Sequence, residues 1–204
     1  MIAPCFGGSL ERGVRAACDI LVGDRVETMT GPQVVRWVGR RRIAREALLA
    51  EETLRPVRIS AGALGRGLPV ADLWVSRQHR IFCDAPLVQE MFGSASALVA
   101  AIRLVGLPGI SIDLGIESID YVHLLFDRHE IVFAEEAPSE SLFSGPEAWR
   151  ALSAEGREEI TRLFPGMAEE MQPVSAAMIP ERKAQIGFVE RLRRGRWLPL
   201  GKVA

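Results

Sequence analysis

The chain contains three histidines, and where they stand limits the chemistry it can do. His79 lies in Ser76-Arg77-Gln78-His79, directly between two strand-like runs. His123 and His129 lie in Tyr121-Val122-His123-Leu124-Leu125-Phe126-Asp127-Arg128-His129. In a continuous strand, Asp127 and His129 are two residues apart, so both side chains emerge on one face. A carboxylate beside an imidazole raises its basicity and fixes its tautomer, the usual support of an acid–base histidine. Cys5 is a candidate nucleophile if one of these imidazoles reaches it in space. Spacing alone describes a buried cysteine and hydrogen-bonded structural histidines at least as well, and taken blind that plainer reading carries more weight.

Other chemistries are disfavoured by composition. Cys5, Cys18 and Cys83 make no C-x-x-C pair, so neither a disulfide framework nor a structural zinc site is expected. Lysine and arginine number 25 against 26 acidic residues, for a net charge of -1. That balance offers no global attraction for nucleic acid or an anionic membrane surface. The basic stretch at residues 36–45 and the run Arg191, Arg193, Arg194, Arg196 read as solvated faces. Residues 1–9 have neither the basic start nor the apolar run of a secretory signal, which leaves the cytoplasm as the default location. The most apolar stretch, residues 95–105, is too short to span a bilayer and contains Arg103.

The elements that would have to position these residues are mostly strands. Residues 25–29 and 33–38 flank Thr30-Gly31-Pro32, a turn signal, and predict a hairpin. Further short apolar runs cover residues 55–59, 73–75 and 80–83, and the longest covers residues 121–134. Residues 85–105 fit neither period cleanly. Many short strands separated by Gly and Pro indicate a mainly β architecture over residues 1–144. The texture then changes. Ser144-Gly145-Pro146-Glu147 has a capping hydroxyl, an early proline and an acidic first turn, and Ala148, Leu152, Ile160 and Leu163 follow at roughly helical spacing. A second helix is predicted over residues 180–194, with Ile186, Val189 and Leu192 on one side. Residues 145–204 are therefore expected as a helical appendage packed on, or tethered to, the β domain, and as its surface for a protein partner.

Four blocks in order resemble the bacterial branch of the Hint domains, the self-processing modules of inteins and hedgehog proteins. Gly13-Val14-Arg15 through Gly23-Asp24-Arg25-Val26 resembles the early block, in which Gly-Asp precedes a strand. Gly31-Pro32-Gln33-Val34-Val35-Arg36-Trp37-Val38-Gly39 is similar to its continuation. Leu73-Trp74-Val75-Ser76-Arg77-Gln78-His79-Arg80 resembles the T-x-x-H block with serine for threonine, and residues 121–140 resemble the late block. The resemblance implies a Hint-type β fold of short twisted strands and a reaction that needs no metal or cofactor. It implies that Cys5 attacks the carbonyl of Pro4, converting the amide to a thioester. It further implies that His79 protonates the departing nitrogen, that Ser76 orients His79 or the scissile peptide, and that Asp127 and His129 assist proton transfer. The substrate is then the protein's own upstream segment.

The same alignment locates two departures. Inteins end in His-Asn, and those positions here are Glu140 and Ser141, neither of which supports asparagine cyclisation. Complete splicing is therefore not expected, and N-terminal cleavage is the remaining half-reaction. Residues 6–12 also form a shorter spacer between Cys5 and Gly13 than relatives have, with Met1-Ile2-Ala3-Pro4 ahead of Cys5. The competing expectations are a Hint-fold interaction or structural module without catalysis and, more remotely, a thiol hydrolase using Cys5 with His79 or His129.

Overall fold

The computed structural model describes residues 7–10, 13–142 and 174–202. The chain enters as β1 (Gly7–Leu10) and β2 (Gly13–Ala16), an antiparallel hairpin. β3 (Arg25–Val26) and β4 (Gln33–Val34) form the hairpin predicted around Thr30-Gly31-Pro32. Gly31 sits there at φ +99°, a left-handed conformation that strains any side chain. The backbones of Thr28 and Gly31 close the turn with hydrogen bonds of 3.3 and 3.0 Å.

From β4 the chain leaves the first sheet as β5 (Trp37–Ile43), followed by the short helix α1 (Arg45–Ala50). β6 (Val57–Ile59), β7 (Leu73–Val75) and β8 (Arg80–Cys83) occupy the three predicted runs. The ambiguous residues 85–105 resolve into α2 (Pro86–Phe92), β9 (Ala97–Ala100) and α3 (Ala101–Leu104), so two periods are mixed in one apolar stretch. Pro86 opens α2, and Gly93 closes it in the left-handed conformation with its N–H on Gln89 O. Next come β10 (Ile110–Ile112), β11 (Ile119–Leu125), β12 (Ile131–Ala134) and β13 (Ala137–Glu140). The single long strand expected over residues 121–134 is thus two strands in two sheets. β11 pairs with β5 along all seven residues, whereas β12 pairs with β13, and the chain bends between them.

Among the described residues the main sheet has eight strands in the order β4-β3-β1-β12-β13-β8-β9, with β2 on β1. Register determines which ends meet. Ile131 lies opposite Glu140, and Ser139 lies opposite Ile81, so His129, Glu140 and His79 come to one end of these strands. β1 runs antiparallel to β12 with Gly8 opposite Ala134, which puts the Gly7 end of β1 at the other end.

The helix predicted over residues 180–194 is present and packs on the strands. α4 (Arg182–Gly195) leads into a small hairpin of β14 (Trp197–Leu198) and β15 (Gly201–Lys202). Phe188, Val189, Leu192 and Leu200 are buried in the same apolar core as Ile59, Ile81 and Leu98 of the strands. The inward face of α4 is Gln185, Phe188, Val189 and Leu192, so Val189 and Leu192 of the predicted stripe point inward while Ile186 is 41% exposed. The helix predicted over residues 144–163 lies outside the described residues. Among those described, no helix is long and apolar enough to cross a membrane.

Candidate functional site

His79 ends a tight turn between β7 and β8. Its N–H donates to the Ser76 carbonyl at 3.0 Å, and its own carbonyl accepts the Ala101 N–H at 2.8 Å. The Ser76 carbonyl thus closes the turn that ends on His79. The residue is 2% exposed. Burial holds the imidazole well below its ordinary pKa, and the nearness of His123, Arg80 and His129 pushes it further the same way. A neutral imidazole carries one N–H donor and one acceptor nitrogen, the state from which a proton can be relayed. The three histidines come from three separate elements and converge here.

His123 is contributed by β11, directly opposite Gly39 of β5. Trp37 lies on the same face as Gly39, and its ring covers the glycine so closely that a Cβ there would sit 2.2 Å from Trp37 Cη2. Burial lowers the pKa of His123 well below the usual histidine value.

His129 faces a buried ion pair that its sequence neighbourhood does not suggest. Glu140, 6% exposed, accepts the Arg80 backbone N–H at 2.8 Å and the Arg80 guanidinium at 2.9 Å. His129 Nε2 lies 3.8 Å from the same carboxylate, and its Nδ1 accepts the Ala176 N–H at 3.1 Å. Burial, then the Arg80 charge, lowers the His129 pKa to about 4. Beside it, Glu130 is 1% exposed and accepts bonds from Thr30, Thr28 and Arg128 side chains. The Glu130 N–H donates to the Ser141 hydroxyl at 2.9 Å, and the Ser141 N–H donates back to the Glu130 carbonyl at 2.9 Å. Both residues at the intein His-Asn positions, Glu140 and Ser141, are therefore built into the buried framework.

Asp127 requires a correction. The strand ends at Leu125, so Asp127 and His129 straddle a bend and do not share a face. The Asp127 side chain is 62% exposed and takes two bonds from Arg36, at 2.9 and 2.8 Å, while the His129 side chain is 1% exposed. Cys5 lies outside the described residues. Cys83 is buried in the core with its thiol pKa pushed up by burial, which makes it a poor nucleophile. Among the described residues, no three His, Cys, Asp or Glu side chains are placed to hold a metal ion.

The profile of the Hint domain matches residues 9–146. The chain belongs to the Hint domain family. Solved structures similar to this Hint domain include the MchDnaB-1 intein, at 11% identity and TM-score 0.42, covering 68% of this chain and 98% of that one. The bacterial intein-like domain from Clostridium thermocellum is similar at 10% identity and TM-score 0.42, covering 69% and 96%. The gp41-1 intein is similar at 12% identity and TM-score 0.39, covering 68% and 98%. No curated protein matches the sequence. The family match ends before α4, so Ser175 and Ala176, which contact His129, lie outside the matched residues. Neither they nor the Arg80–Glu140 pair stood out in the sequence. Glu140 ends Ala137-Pro138-Ser139-Glu140, with Glu135 and Glu136 shortly before it, and nothing in that setting marks it for burial.

Proposed function

We propose that this Hint domain acts on its own polypeptide at the Pro4–Cys5 bond, by N-terminal processing without splicing. The Cys5 thiol gives up its proton as its sulfur attacks the Pro4 carbonyl carbon, the C–N bond breaks, and the Cys5 nitrogen takes up one proton in return, leaving a thioester and a free amine. Water or another nucleophile then removes the acyl group and returns the thiol. The reading rests chiefly on one observation: the S-x-x-H histidine is buried and neutral at the same end of the main sheet as His129. An amide nitrogen is a poor leaving group unless protonated, and His79 has the protonation state of a group that passes protons rather than stores them. The commitment of Glu140 and Ser141 to buried hydrogen bonds argues for stopping at this half-reaction. Because β1 starts at the opposite end of the sheet, the reaction requires the residues before Gly7 to lead Cys5 back to His79.

The test is a reporter fused upstream of Met1, with thiol or hydroxylamine added and release followed by mass spectrometry. Release should be abolished in Cys5→Ala and strongly slowed in His79→Ala. Release no faster than in Cys5→Ala overturns the reading. A second reading, a non-catalytic interaction module with a protein partner, is favoured by the strand polarity of β1 and by the exposed Arg36–Asp127 pair. It predicts that Cys5→Ala and His79→Ala leave the behaviour of the full chain unchanged.

A further inference from the structure

The two ring nitrogens of His129 are treated differently by the protein. Nδ1 accepts the Ala176 N–H at 3.1 Å. A backbone N–H can only donate, so Nδ1 offers its lone pair there, and the single proton of the neutral ring sits on Nε2. Nε2 points toward Glu140, 3.8 Å away, whose carboxylate is also held by Arg80. The Ser175 hydroxyl is 3.3 Å from Nδ1 and donates to the Ala177 carbonyl at 2.7 Å. Ser175, His129 and Glu140 superficially suggest a nucleophile with its base and acid. That relay fails, because the basic nitrogen is already occupied by Ala176.

The donor is held from both sides. Met178 bridges in parallel to Ala97, and its carbonyl accepts the Leu98 N–H at 2.8 Å. These contacts add residues 174–180 along the outer edge of β9, the last strand of the main sheet. Gln185 of α4, 6% exposed, accepts the Ala100 N–H at 3.1 Å and donates to the Pro180 carbonyl at 2.7 Å. The buried face of α4 then locks this segment into the core.

We propose that residues 174–180 form a tautomer-setting strap, in which Ala176 is the positioning residue that holds His129 as an Nε2–H donor and bars Nδ1 from acting as a base. The inference stands on the contacts of residues 174–180 with His129 and β9 and does not depend on processing; if processing occurs, His129 serves it through Nε2 alone.

Long-range proton–nitrogen NMR on the full chain, near neutral pH, reads the tautomer of each histidine, with His129 assigned from its loss in His129→Gln. The wild type is expected to show His129 protonated on Nε2 only. Ala176→Gly keeps the N–H and should keep that pattern. Ala176→Pro deletes the N–H and should yield a mixture of both tautomers. An Nδ1–H pattern in the wild type overturns the proposal, as does an unchanged pattern in a folded Ala176→Pro. If the proline variant does not fold, the wild-type and Ala176→Gly spectra decide by themselves. None of these readouts requires Cys5 or reporter release, so failure of the processing reading leaves the result interpretable.

Discussion

Replacing Glu140 by alanine is expected to destabilise the whole domain by about 3 kcal/mol, because one carboxylate satisfies both a backbone donor and a guanidinium. Breaking one partner out of a buried ion pair costs about 3–5 kcal/mol, largely through the charge left behind. The Glu140 side chain is 8% exposed, but that of Arg80 is 22% exposed and regains some water, which favours the lower end. The Arg80 N–H, bonded at 2.8 Å, also loses its acceptor. Glu140→Gln keeps an oxygen for that N–H and loses only the charge, so its cost should fall to roughly half. Urea denaturation followed by circular dichroism reads both, and a chain of this size should lose roughly 6–12 °C in Tm for the alanine variant. Glu140→Ala within 0.5 kcal/mol of wild type, roughly the scatter of ordinary surface substitutions, would refute the claim that this pair organises the site.

Three further outcomes follow from the same framework. Phe188 is fully buried on α4, with its ring centroid 5.4 Å from that of Phe92, so Phe188→Ala should cost about 3–5 kcal/mol. It should lower the melting of the strands as one transition; a β transition left at its wild-type midpoint would show α4 to be a separate unit. Gly39→Ala pushes a methyl into the Trp37 ring and should cost roughly 1–3 kcal/mol, and visibly less in a Trp37→Leu background. As for pH, the His129 pKa is about 4 in the fold and about 6.5 when unfolded, so the unfolded chain binds more protons between those values. Stability is therefore fully present above about pH 6.5 and falls on the order of 3 kcal/mol as pH drops toward 4, with His79 and His123 acting in the same direction. His129→Gln should flatten part of that slope in urea midpoints taken across the range.

Much of the architecture is written locally. The β3–β4 turn needs a residue at positive φ and has Gly31, α2 opens on Pro86 and closes on Gly93, and β6, β7 and β8 are short apolar runs between turn residues. Each of these depends on conformational preferences spanning a few residues, which is why they can be read along the chain. The S-x-x-H turn is likewise legible, since Ser76 and His79 bond across it within four residues.

What lies beyond that range belongs to the tertiary structure. Residues 121–134 look like one strand because both halves are apolar; the first half pairs with β5 and the second with β13, and at the bend between them Asp127 turns outward to Arg36. Glu140 resembles an ordinary acidic residue until β8 brings Arg80 to it, and His79, His123 and His129 meet, their pKa values lowered chiefly by desolvation, only when three distant elements pack together. Residues 174–180 carry no local sign of touching His129; burial of the α4 face delivers them there. The sequence by itself determined the turns, the strand-rich texture and the family motifs, because those are matters of backbone preference and short spacing. The folded chain decided which strands pair, which carboxylate is buried, and which nitrogen of His129 keeps its proton, because hydrogen bonding and burial are satisfied across the whole chain at once.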